Sequence, residues 1–250
     1  MTSLVETSDH DGGVRVVRLN DPDRRNAMSL ALGAQLREAV AGRSADGVRV
    51  LVITGAGSAF CAGADLPELF GDPDRPLAET AAVLEDYYRA FLDVHELQVP
   101  TIAAVNGPAV GAGLNLALAC DMRIAGAGAT FGATFARIGL HPGGGSTWFL
   151  VRELGYSAAL EILLRGRTLD ATEAITRGLA TGPTDDPLGD ALDLARSIAQ
   201  TDPWLAAQIK RTARLAVGGA ALDAVIEAET SAQVESARSE QLQAWVARFR

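Results

Sequence analysis

The segment Gly107-Pro108-Ala109-Val110-Gly111-Ala112-Gly113 constrains this chain more than any other. It lies between the β-prone run Thr101 to Val105 and the alanine- and leucine-rich run Leu114 to Cys120. A strand must therefore turn sharply into a helix across residues with almost no side chain. Small residues let a ligand approach the backbone. The first N–H groups of the helix have no partner within it, so that end favours negative charge. A second small-residue turn, Phe60-Cys61-Ala62-Gly63-Ala64-Asp65, follows Val48 to Thr54, an apolar run without alternation and so a strand covered on both faces. Two such turns brought together would supply main-chain donors from two segments, the arrangement of an oxyanion hole. Each turn alone reads more readily as a ligand-free strand-to-helix connection. A dinucleotide fingerprint fits neither turn. Where a third glycine is needed, Gly55-Ala56-Gly57 leads to Phe60 and Gly111-Ala112-Gly113 to Leu116, and no P-loop is present.

The rest of the chain frames these turns. Leu4 to Glu6 and Val14 to Leu19 flank Asp11-Gly12-Gly13, which predicts an opening β-hairpin. Ser29 can cap a helix running towards Gly42. Polar sequence broken by Pro67, Pro73 and Pro76 precedes a helix whose Val83, Tyr87, Phe91 and Val94 face a core. Met122 to Ala125 is a further short strand. After Gly139 to Gly145 the pattern reads as helical to the end, with caps at Ser157, Thr172 and Asp202. These elements predict an α/β core with a helical C-terminal region.

Composition narrows the function classes. With 48% hydrophobic residues in 250, a sizeable core can be buried. The 22 basic and 31 acidic side chains give a net charge of −9, which argues against nucleic acid or an anionic membrane as partner. Cys61 and Cys120 make no disulfide framework and fit a reducing compartment. The longest apolar stretch, Thr101 to Cys120, is broken by Pro108 and by glycines, so no bilayer span is expected. The N-terminus shows no signal-peptide pattern, and a cytoplasmic protein is expected. No Cys/His/Asp cluster has metal-ligand spacing.

The order of the motifs resembles the crotonase (enoyl-CoA hydratase/isomerase) superfamily. Asp21-Pro22-Asp23-Arg24-Arg25-Asn26-Ala27 looks like its opening segment. Ile53-Thr54-Gly55 through Ala59 to Leu66 looks like its first oxyanion loop. Pro100 to Gly113 looks like the second, followed by Ala119-Cys120-Asp121, Phe131-Gly132 and the Gly139 to Thr147 stretch. The resemblance runs from about Val14 to the final helix. It implies an α/β crotonase (ClpP-like) spiral of ββα units, with residues 1–195 as the core and 196–250 as a helical region for trimerisation and pocket cover. A homotrimer or dimer of trimers is implied, with an acyl-CoA thioester as ligand, in the manner of fatty acid metabolism. Coenzyme A then enters as part of the substrate, with no separate cofactor. The family's oxyanion donors fall on the N–H groups of Ala64 and Ala112; the family usually carries glycine at the second of these. CoA phosphate contacts map to Arg25 and, less directly, Arg24, and adenine contacts to the main chain of Ala27, Ala62, Asp65 and Leu66.

The departures concern the reaction. The two hydratase glutamates fall on Asn115 and Phe135, and the aspartate of the dehalogenase and dienoyl isomerase types falls on Gly143. Hydration needs a base for water and an acid for the α-carbon. An amide exchanges no useful proton and a phenyl ring has none. His141, in a loop that approaches the acyl pocket in the family, is the candidate replacement, with Asp65 a weaker one. Glu68 reads as a surface residue near the pocket mouth and Asp121 as a group that orients a strand end. His10 and His95 read as loop and helix-surface residues. Cys61 lacks a base partner for nucleophilic work. Two readings stay open. One is an enzyme, lyase or isomerase in class, that stabilises an enolate. The other is a non-catalytic acyl-CoA carrier or sensor.

Overall fold

Residues 3–41 and 47–249 are described by a computed structural model. The glycine turn at 11–13 closes a hairpin of β1 (Val5–His10) and β2 (Val14–Leu19), paired antiparallel. From β2 onward the main sheet is parallel. β3 (Val50–Gly55), β4 (Thr101–Val105), β6 (Met122–Gly126) and β9 (Thr181–Thr184) follow in the order β1-β2-β3-β4-β6-β9. A smaller sheet holds β5 (Pro108–Val110), β7 (Thr130–Gly132) and β8 (Thr168–Asp170). The chain thus gives one strand to each sheet in turn, β4 then β5 and β6 then β7, in ββα fashion.

The absence of alternation in β3 has its expected cause. All six of its residues are buried. Val50 and Val52 pack with Ile102, Ala104 and Ile124 against Ala191 and Ala195 of the helix Pro187–Ile198. Leu51 and Ile53 face the larger core with Phe60, Phe91 and Leu116. Seven further helices precede that one: α1 (Leu30–Val40), α2 (Leu66–Phe70), α3 (Leu77–Glu96), α4 (Ala112–Ala119), α5 (Ser146–Leu154), α6 (Tyr156–Arg165) and α7 (Ala171–Thr176); Pro187–Ile198 is α8. Ser29 caps α1 by accepting from the Leu32 N–H at 3.1 Å, a contact of about 1 kcal/mol. Gly42, the expected end of that helix, lies outside the described residues. Tyr87, Phe91 and Val94 of α3 are buried, with Val83 packed partly against them.

The C-terminal third departs from a purely helical reading. β8 and β9 interrupt it, and both are too short and too exposed to carry a hydrophobic signature; they exist because they pair with β7 and β6. Asp202 caps the next helix, accepting from the Leu205 N–H at 3.0 Å. The other two expected caps are displaced. Helix α6 starts at Tyr156 behind Gly155, so Ser157 lies inside its first turn. Asp170, not Thr172, caps α7 through the Glu173 N–H at 2.8 Å. The remaining helices are α9 (Pro203–Val217), α10 (Leu222–Ser236) and α11 (Glu240–Ala247). Helix α9 is tied to the core by Asp121, which accepts from Lys210 at 2.6 Å, Arg214 at 3.0 Å and the Thr101 N–H at 2.8 Å. Asp121 therefore does orient the start of β4. No helix among the described residues is long and apolar enough to cross a membrane.

Candidate functional site

The two small-residue turns meet. The Cys61 N–H donates to Pro108 O at 3.1 Å and the Val110 N–H to Cys61 O at 3.0 Å, which stitches the first loop onto β5. The first loop is also held from its other side: Met28 donates to Gly63 O at 2.7 Å and Asp65 to Met28 O at 3.2 Å. Gly111 adopts φ 53°, a left-handed value that turns β5 into α4. Ala112 then begins the helix. It is not among the described residues of positive φ, so its methyl group brings no backbone strain. The N–H groups of Ala64 and Ala112 have no acceptor among the described residues.

Both residues line one cavity of ≈ 330 Å³. Its walls are mostly apolar, from Leu66, Leu69 and Phe70 of α2, Leu84 and Phe91 of α3, and Ile138 and Leu140. Asn115, Phe135 and His141 line it as well, so the structure brings these three sequence candidates together with Ala62, Ala64, Leu66 and Ala112. Among the described lining residues there is no carboxylate.

Asn115 is buried, and both ends of its amide are engaged. Its Nδ2 donates to Gly143 O at 2.9 Å, and its Oδ1 accepts from the buried Ser146 hydroxyl. It therefore clamps the first turn of α4 to the 142–146 loop. The Phe135 ring, on a short 3₁₀ turn (Thr134–Ile138), lies 3.9 Å from where a Cβ on Gly111 would stand, and so closes over the second loop. His141 is exposed, with Nδ1 2.7 Å from Pro142 O. A carbonyl only accepts, so this contact puts the proton on Nδ1 and leaves the Nε2 lone pair free in the neutral ring.

Asp65 and the two arginines sort differently. Asp65 caps α2 and binds Arg24 at 2.6 Å, and it is absent from the cavity lining. The hydrogen bond from Arg24 is the main reason its carboxyl sits below the ordinary range. Arg24 is thus occupied in holding the pocket wall. Arg25 is exposed, with no side-chain partner among the described residues, on a turn where it and Asn26 take φ 52° and 55°. Ala27, half-buried, follows on the same turn. Glu68 is exposed, as expected of a surface residue, and it also accepts the Leu30 N–H at 2.8 Å at the start of α1. Cys61 is fully buried, and burial pushes its thiol up to about 11, which removes it as a nucleophile. His95 corrects the surface reading. It is half-buried, edge-on to Trp148 and Phe149, in a second cavity beside α9, and burial lowers its pKa. His10 ends β1 instead of lying in a loop.

Two structural residues carried no sequence signal. Asn26 is buried and donates to Ala56 O and Ala59 O at 2.9 and 2.8 Å, locking the arginine turn to the end of β3. Tyr88 of α3 lines the cavity beside Gly143.

The family model for enoyl-CoA hydratase/isomerase matches residues 9–250. The chain belongs to the enoyl-CoA hydratase/isomerase family. It is 47% identical over 217 residues to the probable enoyl-CoA hydratase EchA14 of Mycobacterium tuberculosis, covering 85% of this chain and 82% of that protein. It is 35% identical over 241 residues to the 1,2-epoxyphenylacetyl-CoA isomerase of Escherichia coli, covering 95% and 92%. Among solved structures, a putative enoyl-CoA hydratase/isomerase from Mycobacterium abscessus superposes with a TM-score of 0.90 at 33% identity, over 98% of this chain and 95% of that one. The crotonase fold and superfamily membership expected from the motifs follow from these matches.

Proposed function

We propose that this family member binds an acyl-CoA thioester, takes its carbonyl oxygen on the Ala64 and Ala112 N–H groups, and stabilises the enolate without the carboxylate pair of hydration. One observation carries this reading: two unpaired main-chain donors on stitched loops open into an apolar cavity whose described lining holds no carboxylate. Donors fixed in advance and facing a water-poor space stabilise developing oxyanion charge strongly. Removal of an α-proton then needs a base, and His141 is the candidate, with Nε2 free to accept. Arg25 is the cation left for the CoA phosphates, with the main chain of Ala27, Ala62, Asp65 and Leu66 around the adenine. Helices α9 to α11, within the 196–250 region, leave Ile209, Leu222, Val234 and Trp245 more than half exposed, and a homotrimer would cover such groups.

The missing carboxylates equally favour the carrier or sensor reading, and one experiment separates the two. The protein is incubated with butyryl-CoA in D₂O and deuterium at the α-carbon is followed. The expected result is exchange that falls about a hundredfold in His141→Ala, a usual contribution of a positioned base. Binding without exchange would make the protein a carrier. In parallel, crotonyl-CoA should show negligible hydration; rapid turnover would mean that Asn115 and Phe135 do not matter as argued.

A further inference from the structure

The Tyr88 hydroxyl is a polar group in the apolar cavity that the proposed oxyanion chemistry does not use. Its ring is clamped on α3 between Tyr87 and Phe91, with centroids at 6.1 and 6.0 Å. The hydroxyl lies 2.4 Å from where a Cβ on Gly143 would stand, so it fills the space that any side chain at 143 would need. The Gly144 N–H favours the phenol oxygen as an acceptor, while burial acts in the larger and opposite direction and keeps the phenol protonated. Among the described residues, no protein group accepts the Tyr88 O–H proton. The donor is thus held in place, protonated and unpaired.

We propose that Tyr88 determines acyl-group specificity by donating its hydroxyl proton to an oxygen carried on the acyl chain of the bound thioester. This rests on the acyl-CoA reading above. A plain hydrocarbon chain would strip water from the hydroxyl and return nothing, whereas an oxygenated chain would replace that water. Phe135 and Leu140 offer the chain no such partner.

The test measures affinities of the whole protein for 2-, 3- and 4-hydroxybutyryl-CoA and for butyryl-CoA by calorimetric titration. At least one hydroxyacyl-CoA is expected to bind about tenfold more tightly than butyryl-CoA, and in Tyr88→Phe that ratio should fall to about one. A merely structural role for Tyr88 would weaken all four ligands together and leave the ratio intact. Gly143→Ala provides a second route, because its methyl group must displace the hydroxyl and should abolish the same ratio in a Tyr88 protein. No preference in the native protein, or a preference that survives both substitutions, would overturn the assignment while butyryl-CoA binding left the acyl-CoA reading in place. Failure of all four thioesters to bind would remove both.

Discussion

Gly113→Ala is expected to cost about 3 kcal/mol of stability and to bring butyryl-CoA affinity below detection. A Cβ at this position would stand 2.1 Å from Cys61 O and 2.8 Å from the Cys61 carbonyl carbon. Those atoms are backbone, and the carbonyl is held by the Val110 N–H, so no rotamer change relieves the clash. The structure can respond only by moving α4 away from the first loop. That motion separates Ala64 from Ala112 and so dismantles the pair of donors as well as the packing. Gly128→Ala serves as the control, because its Cβ would meet nothing within 4 Å, and it should change stability by less than about 0.5 kcal/mol. Urea unfolding and butyryl-CoA titration of both variants check the prediction. Native-like stability in Gly113→Ala would show that the two loops are less tightly joined than the hydrogen bonds imply.

Asn115→Leu should have the next largest effect, about 3 kcal/mol, although Leu suits a helix interior better than Asn. The cost arises from two groups left behind: Gly143 O loses its donor and the fully buried Ser146 hydroxyl loses its acceptor. An unmade hydrogen bond in a buried site costs about 1–3 kcal/mol. A double-mutant cycle with Ser146→Ala identifies the source. The pair should be less destabilised than the sum of the singles, because removing the hydroxyl removes one of the stranded groups. Strict additivity would mean that the Asn115–Ser146 contact contributes nothing. The same geometry explains why a glutamate cannot simply be restored here. A glutamate carboxylate only accepts hydrogen bonds, so it could not replace the amide donation to Gly143 O and would set a negative charge beside that carbonyl.

The parts of the molecule legible in the sequence are those in which one local rule dominates. Val50 to Ile53 shows its two-sided burial as an unbroken apolar run, and Gly107 to Gly113 shows its turn because only small residues fit where α4 meets Cys61 O. Ser29 and Asp202 cap helices because each is an N-cap residue type just before a helical pattern. The strands β8 and β9 were not legible, since three or four residues, most of them exposed, carry no period and depend on pairing partners distant in sequence. The position of Asn115 was readable from the motif; its clamp onto Gly143 and Ser146 was not, because it spans 28 and 31 residues. Asn26 and Tyr88 belong to the same class. An asparagine in a turn and a tyrosine on a helix read as ordinary until their neighbours are known.

In the proposed complex two main-chain N–H groups hold the thioester carbonyl, and its carbonyl stretch tests this most directly. Butyryl-CoA labelled with ¹³C at the thioester carbonyl would be studied by isotope-edited difference infrared spectroscopy, free and bound to the native protein. Hydrogen bonds from Ala64 and Ala112 would polarise the carbonyl, so the bound band is expected at clearly lower frequency than in water. A bound band at or above the frequency in water would contradict it, because the carbonyl would then lie outside the hole.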